Sequence, residues 1–120
     1  MDTVRLKRVR EAMAAAELDA LVCRLPENVV MLSGHWPLIG CSFLLLPLDG
    51  KPTIVVPHCD EQEARGELWD ADCVSVTFGV LAAGDPYADI ATALKQAAAG
   101  KDWRRIGFEG TFETVAPPWN

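Results

Sequence analysis

The sequence lacks most of the short motifs that mark a self-contained catalyst. Its 120 residues contain no H-E-x-x-H, no G-x-S-x-G, no G-K-[ST] and no G-x-G-x-x-G, so helix-borne zinc hydrolysis, a nucleophile elbow and a phosphate loop all lack their local signatures. It has no apolar run approaching the roughly 18–20 residues that cross a bilayer, and the start Met1-Asp2-Thr3-Val4-Arg5 is a charged amphipathic segment rather than a signal peptide. The expectation is no membrane and a cytoplasmic protein. Basic residues are in deficit, 11 against 17 acidic, for a net charge of −6, which argues against general binding to a nucleic-acid backbone. The four cysteines, Cys23, Cys41, Cys59 and Cys73, are far apart and form no C-x-x-C. A disulfide framework is not expected, and Cys23 and Cys41 stand inside apolar runs where a thiol acts as a small hydrophobe.

The informative stretch runs from Pro26 to Pro57. Val29 to Leu32 reads as an extended segment, Ser33-Gly34-His35-Trp36-Pro37 as a loop, and Cys41 to Leu48 as a strand apolar enough to be buried on both faces. Asp49-Gly50 then reads as a hairpin turn leading to the β-branched run Thr53-Ile54-Val55-Val56.

Around this stretch, helical spacing of Leu6, Val9, Met13 and Ala16 predicts a helix over Thr3 to Glu17, capped by Asp2 or Thr3. Ala20 to Arg24 is a short strand. Asp60 is placed as the side-chain N-cap of a second helix that ends near Leu68-Trp69, with Asp60, Glu61 and Glu63 on solvated surface. Val74 to Phe78 alternates as a half-buried strand does. Asp85-Pro86 opens a third helix with Tyr87, Ile90, Ala91, Leu94 and Ala98 on one face, and Gly100 closes it. Arg105 to Glu109 is the last strand. Alternating helices, strands and a hairpin in one short chain predict a single α/β domain, a mixed β-sheet flanked by helices.

Three groups of residues resemble one family in the right order. They are Arg5-Leu6-Lys7-Arg8-Val9 with Leu18-Asp19-Ala20-Leu21-Val22, then Asn28 and Ser33-Gly34 with Pro47-Leu48-Asp49-Gly50, then Arg105-Ile106-Gly107-Phe108-Glu109-Gly110. Together they are similar to the N-terminal domain of the creatinase, prolidase and aminopeptidase P group, the pita-bread metallopeptidases. The chain departs from that pattern at Met31, where an aromatic is common, and at Leu18, where glycine often stands. The resemblance implies a ribonuclease-H-like α/β layer over residues 1–120, a truncated piece whose catalytic C-terminal domain is absent. It implies a metal-dependent Xaa-Pro peptidase as the complete protein, with two divalent metal ions such as manganese, cobalt or zinc in that missing domain and none in this chain. It also implies a homodimer, and a loop reaching toward the active site to restrict substrates to short ones. His35, Trp36, Pro37 and Leu38 would carry that substrate-access role.

No residue here is expected to be catalytic. Ser33 and His35 stand two apart in a loop without an ordered acid. His58-Cys59, with His35 and Cys41 nearby in sequence, is the sharpest grouping for a metal, but a structural zinc site needs about four convergent ligands. The competing reading has His58 ending the strand and Cys59 packing under the second helix. Asp70 and Asp72 flank Ala71 in what reads as a solvated turn. Two functional alternatives remain open beside the peptidase domain: a binding or assembly module with no attached enzyme, and the N-terminal domain of a creatinase-like amidinohydrolase.

Overall fold

The computed structural model describes residues 3–37, 42–76 and 86–109. Along the chain these form α1 (Thr3–Ala15), β1 (Ala20–Cys23), α2 (Pro26–Ser33), β2 (Phe43–Pro47), β3 (Thr53–Pro57), a 3₁₀ turn (His58–Asp60), α3 (Glu61–Glu67), β4 (Asp72–Val76), α4 (Pro86–Ala98) and β5 (Ile106–Phe108). The strands make one mixed sheet in the order β4-β3-β2-β1-β5. β2 is antiparallel to both neighbours, while β1 pairs parallel with β5 and β3 parallel with β4.

β2, the central strand, is apolar enough to be buried on both faces, as is its neighbour β3. Leu44, Leu45, Leu46 and Pro47 are all buried. Leu44 and Leu46 face the layer of α1, α2 and α3, in a core with Met13, Val29, Leu32 and Ile54. Leu45 faces the opposite layer with Ala20 and Val22, against Leu94, Ala97 and Trp103. Val55, Val76, Ile90 and Ala93 extend that second layer under α4. The hairpin turn carries Gly50 at φ 105°, a conformation that costs glycine little. Arg10 of α1 donates to the carbonyls of Pro47 and Gly50, tying the first helix to the turn.

Four local expectations change. Val29 to Leu32 is not extended but lies in α2. Pro26 stands in its first turn, Glu27 follows it, and Gly34 closes it in the left-handed region at φ 89°, so the start and stop chemistry is helical and the short apolar run could not arbitrate. Asp60 does not cap α3 with its side chain. The 3₁₀ turn puts its backbone at φ −97°, ψ −4°, whereas a capping residue needs extended backbone. Asp60 is also buried and not on solvated surface, while Cys59 is exposed and does not pack under α3. The remaining shifts are mainly at boundaries: β2 is Phe43–Pro47, β4 spans Asp72–Val76 so that Asp72 is in a strand and not a turn, α1 ends at Ala15 and β5 is Ile106–Phe108. Asp2, Leu38, Cys41, Thr77, Phe78 and Asp85 lie outside the described residues.

Candidate functional site

The expected access loop begins where α2 stops. Ser33 Oγ donates to the Val29 carbonyl at 2.6 Å and accepts the His35 N–H at 3.1 Å, so a buried hydroxyl makes both the last helical turn and the first loop residue. The Gly34 N–H reaches the Val30 carbonyl at 2.9 Å. A Cβ at Gly34 would stand 2.8 Å from the Glu67 carbonyl oxygen and 2.8 Å from Cε2 of Trp69. Glycine is therefore required twice, by its positive φ and by the close approach of the α3–β4 connection. That connection is bonded to the loop as well, the Trp69 N–H donating to the Ser33 carbonyl at 2.9 Å.

The expected residues part company at this point. His35 is wholly buried, 0% exposed, and its Nδ1 lies 2.7 Å from Glu67 Oε1. Its Nε2 is also buried and has no hydrogen-bond partner. Trp36 turns outward and is 46% exposed, while Pro37 is buried again. Trp69, 40% exposed, supplies a second indole against the same turn. The sequence reading did not single out Glu67 or Trp69; both lie more than thirty positions from the loop they hold, and no spacing rule reaches so far.

The grouping considered for a metal does not assemble. His35 faces the last turn of α3, whereas His58 and Cys59 precede its first turn and are both exposed. His58 Nδ1 lies 3.6 Å from Glu61. Among the described residues no three His, Cys, Asp or Glu side chains converge as metal ligands. Asp70 and Asp72 flank Lys51 at 3.6 and 3.3 Å, and those carboxylates hold the ammonium above its ordinary pKa, Asp72 first.

Two further polar arrangements deserve comparison with the loop. Glu109, at the end of β5, accepts the Arg24 N–H at 2.7 Å, the Leu25 N–H at 2.6 Å and Asn28 Nδ2 at 2.6 Å. It plays the part of a capping-box carboxylate from another element, taking the N–H of the N-cap residue Leu25, which makes no side-chain cap bond of its own. Burial first, and the neighbouring Glu109 charge second, push the Cys23 thiol up to about 12. That thiol is inert packing and not a nucleophile. On the α4 side, a groove of about 700 Å³ is lined by Leu45, Thr53, Gln96, Lys101 and Trp103. Lys51, Arg65, Asp72 and Cys73 also line it, so the groove carries charged side chains and a thiol, with Lys51 3.3 Å from Asp72. Trp36 is thus an exposed indole on the described part of the loop, next to buried His35, which pairs with Glu67, and close to the exposed Trp69.

Comparison with known proteins bears on the fold and the family. Curated protein sequences return no match. Among solved structures, a proline dipeptidase from Streptococcus agalactiae 2603V superposes with a TM-score of 0.67 at 19% identity, covering 89% of this chain and 76% of that one. A prolidase from Pyrococcus furiosus superposes with a TM-score of 0.64 at 24% identity, over 88% of this chain and 28% of that one. An Xaa-Pro dipeptidase from Bacillus anthracis gives 0.66 at 14% identity, over 90% and 27%. At such identities the likeness establishes the α/β fold, and this chain spans about a quarter of the length of the latter two. The Creatinase/Prolidase N-terminal domain model matches residues 5–117. The chain belongs to the Creatinase/Prolidase N-terminal domain family.

Proposed function

We propose that this chain is the non-catalytic N-terminal domain of an Xaa-Pro peptidase of the prolidase or aminopeptidase P type. Bond cleavage in the complete protein would fall to a separate C-terminal domain, which would hold the two divalent metal ions that supply the hydrolytic chemistry. This domain contributes to subunit assembly as a homodimer and shapes substrate access through Trp36. The protein works in the cytoplasm; among the described residues no helix is long and apolar enough to cross a membrane.

The observation that carries the reading is the proportion of the match. The family model takes in residues 5–117; the chain covers 76% of one proline dipeptidase chain but only 28% of a prolidase and 27% of an Xaa-Pro dipeptidase. The access role is supported by Trp36, a large indole held outward between two buried residues. A residue placed this way contributes shape and water exclusion and does not break bonds.

The test is kinetic. The chain alone is expected to leave Xaa-Pro dipeptides intact with added manganese, cobalt or zinc, while the protein extended through its downstream coding region cleaves them. Metal-dependent cleavage by the chain alone, abolished by a chelator, would overturn the non-catalytic assignment. An inactive, metal-loaded extended protein would overturn the peptidase reading. Trp36→Ala in the active protein should raise KM with little change in kcat, the mark of lost uniform binding.

A further inference from the structure

We propose that Glu67 is a positioning residue for the Trp36 loop: by holding the buried imidazole of His35, the last turn of α3 sets the direction in which Trp36 is presented. The consequence for catalysis rests on the access reading above, whereas the positioning itself stands on the geometry of this chain.

Three observations converge on it. The loop alternates buried His35, exposed Trp36 and buried Pro37, so the outward direction of the indole is fixed by what holds its neighbours in. His35 is held at two points, its N–H by Ser33 Oγ at 3.1 Å and its ring by Glu67 Oε1 at 2.7 Å. A carboxylate can only accept, so Nδ1 carries the proton. Because Nε2 is buried without a partner, the bond to Glu67 is the polar tie that keeps the ring inside. Without it both ring nitrogens would be buried and unpaired, which favours turning the imidazole out to water.

The tie also has a rigid base. Trp69 donates its N–H to the Ser33 carbonyl, and Gly34 lies against the Glu67 carbonyl and the Trp69 indole. The end of α3 and the loop thus form one unit. Glu67 itself is 46% exposed at its side chain. A half-exposed carboxylate contributes little core packing, so loss of its carboxylate should act through His35 and not through general destabilisation.

The experiment uses the chain labelled with 5-fluorotryptophan. Trp36 is assigned by the ¹⁹F resonance that disappears in Trp36→Phe, and Trp103, which packs under α4, serves as the internal control. Glu67→Ala should shift and broaden the Trp36 resonance while leaving that of Trp103 in place. Glu67→Gln, which keeps an acceptor oxygen, should restore it. An unmoved Trp36 resonance in a folded Glu67→Ala chain would overturn the proposal. A second measurement needs no variant: long-range ¹H–¹⁵N spectra of the unmutated chain should show the proton on His35 Nδ1, and a bare Nδ1 would overturn the proposal equally. In the complete peptidase Glu67→Ala should raise KM by roughly 2- to 10-fold, the span of one hydrogen bond, at unchanged kcat. If Trp36→Ala raises KM and Glu67→Ala does not, positioning fails. If neither variant changes KM while the ¹⁹F result stands, the access reading fails and the positioning of the loop is upheld.

Discussion

Replacing Glu109 by alanine removes three donors' acceptor at once. Its two carboxylate oxygens take the N–H groups of Arg24 and Leu25 and the side-chain amide of Asn28, all at 2.6–2.7 Å. Loss of an ordinary N-cap side chain costs about 0.5–2 kcal/mol. Here the acceptor is charged and serves three donors, which raises the figure. Adding three charge-assisted bonds at about 1.5–3 kcal/mol each would overshoot, because Arg24, Leu25 and Asn28 are only half-buried and water can reach the freed groups. The expected loss is therefore about 2–3 kcal/mol. Glu109→Gln keeps one acceptor oxygen and loses the charge, so it should cost about 1 kcal/mol. Against a total stability of about 5–15 kcal/mol, both changes are readable as shifts of the urea midpoint at constant slope. Far-ultraviolet circular dichroism should follow the same transition, since the start of α2 loses the carboxylate that braces it. If Glu109→Ala stays within about 0.5 kcal/mol of the parent, as an ordinary surface change would, the capping argument is wrong.

Three further outcomes follow from particular contacts. Leu45 is buried against Ala97 and Trp103, so Leu45→Ala should lose about 2–5 kcal/mol; an unchanged urea midpoint would contradict its place in the core. Near neutral pH a maleimide should label exposed Cys59 and spare Cys23, whose burial and acidic neighbour keep it protonated; mass mapping that finds Cys23 modified as fast as Cys59 in the folded chain would refute this. Asp19 accepts the N–H groups of Arg104 and Arg105 at 2.7 and 3.0 Å, and those bonds hold its carboxyl below the ordinary 3.8. A carboxyl depressed by folding stabilises the protein above its unfolded value, and that contribution is lost as pH falls through the lower folded value. Acid unfolding of Asp19→Asn should then show a shallower loss of stability below pH 3.8 than the parent, and superimposable acid profiles would argue against the contact.

What the sequence by itself determined were the features whose cause is local. Asp49-Gly50 between two apolar runs placed the β2–β3 hairpin, the unbroken apolarity of β2 placed it at the centre of the sheet, and Pro86 with Gly100 bounded α4. Each depends on residues a few positions apart, where backbone sterics and burial periodicity act directly. The tertiary structure alone decided the rest. Val29 to Leu32 carries a pattern that a strand or a helix would accept, and Glu109, more than eighty residues from the Arg24 and Leu25 N–H groups it accepts, braces the start of the helix. His35 and Trp36 are adjacent in sequence and both suit a binding loop, yet only one reaches the surface. A carboxylate 32 positions further on pairs with Nδ1 of the buried imidazole, while the Trp36 indole stands 46% exposed. Helix over strand, and His35 inward, were settled by partners that folding alone brings near, because burying a polar side chain is costly unless a hydrogen bond offsets the loss of water.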